Sequence, residues 1–253
     1  MTRAEIEDVA SKVPAVTLGF WLVKVLATTL VETAGDTLSM SLNLGYLFST
    51  AIFGVLLALF VAAQIRARAF HPALYWATII ASTTAGTTLA DFATRSIGIG
   101  YAGGAVLLLA LVFGSLIAWK AVVGRIASDD VRGTGPELFY WLTITFSQTL
   151  GTALGDWLAD TGGRGYLGAA AIFAVALGGV AALYYLTRAN RVLLFWAAFV
   201  LTRPLGAAVG DFLDKHVANG GLDFSRPLAS AVLLGAIVLL LILLPQRPGR
   251  HPA

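Results

Sequence analysis

Asp36, Asp91, Asp156 and Asp211 each stand fifteen residues after a tryptophan, namely Trp21, Trp76, Trp141 and Trp196. Side chains four apart stack on one face of a helix, so reading back from each aspartate in steps of four traces one stripe. The first copy gives Lys24, Thr28, Glu32 and Asp36; the second gives Thr83, Thr87 and Asp91. The third gives Gln148, Thr152 and Asp156, and the fourth Arg203, Ala207 and Asp211. Carboxylates with threonine hydroxyls form an all-oxygen donor set, the kind that suits magnesium, calcium or manganese. The expected metal ligands are Glu32, Asp36, Asp91, Asp156 and Asp211, with Thr28, Thr87 and Thr152 completing the ion path. A ring of carboxylates at one level would attract cations and repel anions.

Lys24 and Arg203 have no counterpart in the other copies and break the symmetry. Together with Gln148 they are candidates for coupling or gating, or else for structural ion pairing with a carboxylate or a neighbour across the stripe. Five carboxylates against these two cations leave three negative charges, a balance that suits a divalent cation exchanged for protons. The aspartates admit a second reading as helix-end polar residues repeated by duplication. Against it, a C-terminal helix end disfavours anions, and Gly35, Ala90, Gly155 and Gly210 before them point to close helix contact. The tryptophans read as interfacial anchors or packing residues. Gly45-Tyr46, Gly100-Tyr101 and Gly165-Tyr166, with Phe224 in the fourth copy, read as turn and interface residues.

The elements that position the stripe follow from composition. Of 253 residues, 58% are hydrophobic and 12% charged, far from the roughly 25% charged of a soluble domain. The expected fold is all-α: a polytopic membrane protein with eight transmembrane helices arranged as four tandem parallel helix hairpins. Spans are expected at 14–37, 43–65, 73–95, 98–123, 137–159, 165–187, 193–214 and 227–245. The repeats then cover about 14–70, 71–127, 136–190 and 191–245, in one membrane domain over 14–245. Residues 1–13 and 246–253 are read as cytoplasmic ends, with no cleaved signal peptide. On the face holding both ends lie Arg3, Lys12, Arg66, Arg68, Lys120, Arg125, Arg132, Arg188, Arg191, Arg247 and Arg250; Arg95, Arg164, Lys215 and Arg226 lie on the other. That bias predicts cytoplasmic termini and four units of equal orientation, related by an axis along the membrane normal.

Four tandem units, each with two apolar segments and one of Trp21, Trp76, Trp141 and Trp196, resemble the bacterial membrane-protein family built from a tandem repeat of unknown function. The resemblance covers about residues 16–245 and implies an inner-membrane location but no activity. Glu32-Thr-Ala-Gly35-Asp36-Thr37 is similar to the Glu-x-Gly-Asp-Lys-Thr signature of manganese or calcium exchangers, though it differs in spacing and lacks the lysine.

Other chemistries find no footing. There is no cysteine, and His71, His216 and His251 fall in loops or the tail, which excludes thiolate and histidine-rich metal sites. The chain has no phosphate-binding glycine loop, and its basic residues are scattered rather than gathered for nucleic acid. No enzyme and no cofactor are expected. The expected function is a secondary transporter of a small cation, divalent such as manganese, with proton coupling through the carboxylates. A passive cation channel and a carrier for a small organic solute are the alternatives. The expected partners are the bilayer and the transported cation.

Overall fold

The computed structural model describes residues 11–36, 46–92, 94, 99–127, 131–158 and 165–249, with only the backbone of Asp36 and of a few neighbours. Among them run eight long α-helices: α1 (Leu18–Asp36), α2 (Tyr46–Arg66), α3 (Pro72–Asp91), α4 (Gly100–Val123), α5 (Thr134–Asp156), α6 (Gly165–Leu186), α7 (Arg191–Asp214) and α8 (Arg226–Leu243). Local chemistry accounts for their ends. Proline occupies the first turn of α3 and of α8, where its missing N–H costs no hydrogen bond. Asn190 caps α7 by accepting from the amides of Val192 and Leu193 at 3.0 and 3.1 Å. Gly124 closes α4 in the left-handed conformation, with φ of 85°. Gly100 and Gly165 take positive φ where α4 and α6 begin, as their turn reading expects.

The odd-numbered helices form a closed inner ring in which α1 packs on α3, α3 on α5, α5 on α7, and α7 back on α1. Small residues allow the close approach. A Cβ on Gly151 of α5 would lie 2.5 Å from the Arg203 side chain of α7, and one on Gly210 of α7 would lie 2.6 Å from Glu32 of α1. Gly206 meets Thr28 more closely still, and a Cβ on Gly86 of α3 would stand 3.0 Å from Thr149 of α5. Gly151, Gly206 and Gly210 thus press on the polar stripe of the next inner helix, and Gly86 on the backbone beside it. Val31 holds the corresponding place in α1, and the α1–α3 contact is the sparsest of the four.

The even-numbered helices form an outer layer, but not as the expected hairpins. Among the described residues, α2 packs chiefly on α3, α4 on α5, α6 on α7, and α8 on α1. The second helix of each repeat therefore leans on the first helix of the next. Connection length accounts for two of these contacts: residues 67–71 and 187–190 are tight joints that make α2–α3 and α6–α7 antiparallel neighbours, whereas α4 packs on α5 across a joint as long as those within repeats. The last contact, α8 on α1, has no covalent joint. It is tied by a backbone bridge between Pro14 and Pro248, with Ala15 N–H donating to Arg247 at 2.8 Å and Gly249 N–H to Val13 at 2.9 Å.

Outward faces of the outer layer are apolar, with Val55 and Leu59 on α2, Val106 and Ile117 on α4, Val175 on α6, and Val232 and Ile242 on α8 all exposed. Helices α4, α6, α7 and α8 are each long and apolar enough to cross a membrane.

The packing has a direct consequence. Gly151→Ala and Gly206→Ala are each expected to destabilise the protein by about 1–3 kcal/mol, the usual cost of overpacking. Gly178→Ala, with nothing within 4 Å of its new Cβ, should be neutral. Thermal unfolding of the three variants in detergent measures the difference.

Candidate functional site

The inner ring brings the expected stripes onto its axis and buries them. Lys24, Thr28, Thr83, Gln148 and Arg203 are all 0% exposed. Glu32, Thr87 and Thr152 are buried one turn further toward the aspartates. Threonine suits this place because its hydroxyl can donate back to its own helix. Thr83 bonds the carbonyl of Ile79 at 2.7 Å, Thr87 that of Thr83 at 3.0 Å and Thr152 that of Gln148 at 3.3 Å. Thr28 reaches further and also donates to Thr202 O on α7 at 3.2 Å.

Two cross-links span the ring. Arg203 of α7 donates through Nη2 to Glu32 Oε2 of α1 at 2.7 Å and to Thr87 Oγ1 of the opposite helix α3 at 2.6 Å. Lys24 of α1 donates to Gln148 Oε1 of the opposite helix α5 at 3.3 Å, and Gln148 Nε2 donates on to Thr83 Oγ1 of α3 at 2.7 Å. All four inner helices thus join one polar network. The cation expected to pair with a carboxylate does so in one case only: Arg203 takes Glu32, whereas Lys24 takes an amide and lies 4.2 Å from the Phe199 ring centroid. The side chain length of Gln148, the one amide in the stripe, is what lets it meet Lys24 across the axis.

Toward the other end the ring is closed by aromatics. Trp76, Trp141 and Trp196 are buried with Trp119, Tyr75, Tyr140, Phe20 and Phe199 in one cluster, while Trp21 stays half-buried beside Phe20. The packing half of the tryptophan reading holds for the three buried copies. Stacked and edge-on rings fill the axis, with Trp196 6.0 Å from Trp119 and 5.8 Å from Phe199. The hydroxyls of Tyr75 and Tyr140 meet at 2.7 Å between α3 and α5.

At the aspartate end, Asp91, Asp156 and Asp211 are buried at the last turns of their helices, and Asp211 pairs with Lys215 one turn on at 3.1 Å. The Asp36 side chain lies outside the described residues. Among the described residues no three of histidine, aspartate and glutamate converge closely enough to hold a metal ion. Three positions escaped the stripe reading. Asp214 receives Arg226 Nε at 2.8 Å and ties α7 to the start of α8, and buried Glu137 pairs with Lys12 at 2.8 Å. The third is the glycine one turn before each small residue of the aspartate motif, Gly86, Gly151 and Gly206. Their four-residue spacing to Ala90, Gly155 and Gly210 is a helix-contact signal present in the sequence.

An all-helical bundle with a polar axis inside and an apolar coat outside, built from four copies of one unit, is compatible with a multi-pass membrane protein of the internal-repeat kind. The chain belongs to the family described as Repeat of Unknown Function, whose profile matches residues 19–70, 74–124, 139–190 and 194–245. No curated protein and no solved structure matches it significantly.

The ion pair has a stability signature. Arg203→Met leaves the Glu32 carboxylate alone in the core and should cost about 3–5 kcal/mol, the usual penalty for stranding one buried partner. Adding Glu32→Gln should recover much of that loss. Unfolding midpoints of the two single variants and the double variant give the coupling; a double variant no more stable than Arg203→Met would mean the pair is not coupled.

Proposed function

We propose that the protein is a secondary transporter for a small cation, divalent such as manganese, coupled to protons through Glu32 and the aspartates. The observation that carries the reading is the buried Arg203–Glu32–Thr87 junction on the axis, where one guanidinium spans three of the four inner helices. Such a junction has two states. With Glu32 ionised and free of substrate, Arg203 holds α1, α3 and α7 together; a cation or proton on Glu32 releases Arg203 and loosens α1. The sparse α1–α3 contact at Val31 makes that the inner interface best able to move. A cation would approach from the end bearing Asp36, Asp91, Asp156 and Asp211, whose carboxylates concentrate positive ions. Thr28, Thr87 and Thr152 would line the remainder of the path.

A passive channel fits less well, because the axis is crossed by Arg203, Lys24 and Gln148 and then filled by aromatic rings. Intramembrane ionisable residues that pair across a bundle are a feature of carriers with a site at mid-membrane.

In the same reading all eight helices cross the bacterial inner membrane with both termini cytoplasmic. The inner helices α1, α3 and α5 are tolerated there because their polar residues face the axis and the outer layer faces lipid. The protein has no cysteine. Single cysteines at Gly163 and in the C-terminal tail should therefore be labelled by an impermeant maleimide from opposite sides of the membrane. Labelling of both from one side would end the eight-span arrangement.

Transport is tested in proteoliposomes carrying an imposed pH gradient, with radioactive manganese as the tracer. Saturable uptake driven by the gradient is expected for the parent protein. Glu32→Gln and Asp36→Asn should each reduce it to background at equal protein density. Parent-level uptake by both variants would move the site elsewhere, and unitary currents across planar bilayers would favour the channel.

A further inference from the structure

The buried centre of the axis holds two cations, Lys24 and Arg203, against one carboxylate, Glu32. Among the described residues no acid lies within 4 Å of the Lys24 nitrogen, which meets only Gln148 Oε1 and the face of Phe199. Arg203 uses only Nη2 on Glu32 and Thr87. Its Nε and Nη1 are equally buried and donate to no group of the protein among the described residues. The surrounding hydroxyls of Thr83, Thr87 and Thr152 are neutral and supply no counter-charge, and those of Thr83 and Thr87 already accept from Gln148 and Arg203. A buried cation without a counter-charge is strongly disfavoured, and two on adjacent helices repel each other.

We infer that the centre of the ring binds a small monovalent anion, a carboxylate or a halide, between Lys24 and Arg203. Its donors are the Lys24 ammonium and the two unused guanidinium nitrogens, a set that matches such an anion in both charge and hydrogen bonding. Glu32 opposes the anion through charge, since its carboxylate on Nη2 neutralises Arg203 until a cation takes it. Cation capture at Glu32 and anion capture at Arg203 therefore reinforce each other, and by linkage the effect is reciprocal. Binding of the anion stands on the geometry alone; its movement with the cation as a co-transported ion rests on the transporter reading.

The full chain in detergent, held at constant ionic strength with the bulky sulfonate MES, is titrated separately with sodium acetate and sodium chloride. Heat of binding is followed together with tryptophan fluorescence, which is sensitive here because Phe199 joins Lys24 to Trp196. A saturable response to either anion is expected, and which of the two elicits it assigns the class. Lys24→Met, checked for an intact thermal transition, should weaken binding by about thirtyfold or more, as losing one partner of a buried charge pair does. Glu32→Gln should tighten it about tenfold, a coupling of the usual size between two sites, because the like charge beside the anion is removed. A merely structural Glu32 would not produce that gain. Absence of a saturable response to both anions in the parent and in Glu32→Gln overturns the site, as does unchanged affinity in folded Lys24→Met. Anion binding without any manganese uptake would sink the transporter reading and leave the site standing; uptake in MES alone with no anion binding would do the reverse.

Discussion

A guanidinium held out of water on the axis of four helices is the constraint around which the rest is arranged. Arg203 can sit there only because Gly151 and Gly155 of α5 leave room for its stem and for Pro204 beside it, and because Gly210 lets Glu32 approach from α1. The buried pair adds little net stability, since desolvation of both ions offsets most of their attraction. Its value is specificity: with one partner on α1 and another on α3, Arg203 defines the order and register of the inner helices. The same residue shares the α1–α7 contact with the Thr28 hydroxyl, which donates to Thr202 O, and with Gly206, which packs on Thr28.

The two ends of the axis have different chemistry for the same reason. Toward the tryptophans the ring is filled by rigid aromatic groups that close it without needing charge. Toward the aspartates it is lined by small residues and short polar side chains that leave backbone close to backbone. Lys24 lies at the border, with its nitrogen between the face of Phe199 and Gln148 Oε1.

The inner ring was legible in the sequence because duplication preserved its register. The tryptophan-to-aspartate spacing of fifteen predicts four equivalent helices, and the stripe residues Lys24, Thr83, Gln148 and Arg203 do meet on one axis. The outer layer was not legible in the same way. Its helices are apolar on nearly every side, so their pattern does not say which neighbour they cover, and short connections decide only α2–α3 and α6–α7. Pairing within the ring was also hidden: whether Lys24 faces a carboxylate or Gln148 depends on which helix lies opposite α1, and that follows from closure of the ring rather than from spacing. The glycines one turn below the aspartate motif carried a readable contact signal, which passes unnoticed when only polar residues are followed.

The closure of α8 onto α1 bears on how the molecule is made. A linear array of repeats can consolidate progressively behind the ribosome, each unit docking on the one before it. Here α1 waits for α8. Lys24 acquires Gln148 after 124 residues, Glu32 acquires Arg203 after 171, and the outer cover of α1 arrives only with α8. During synthesis α1 therefore carries an ammonium and a carboxylate two turns apart on one face, with no ring around them. About 12 Å apart along the helix, they are too distant to pair with each other, so repeat one holds an acid and a base whose partners lie on other helices. Completion of the chain supplies those partners through the two links across the axis, and the circle closes with the fourth repeat.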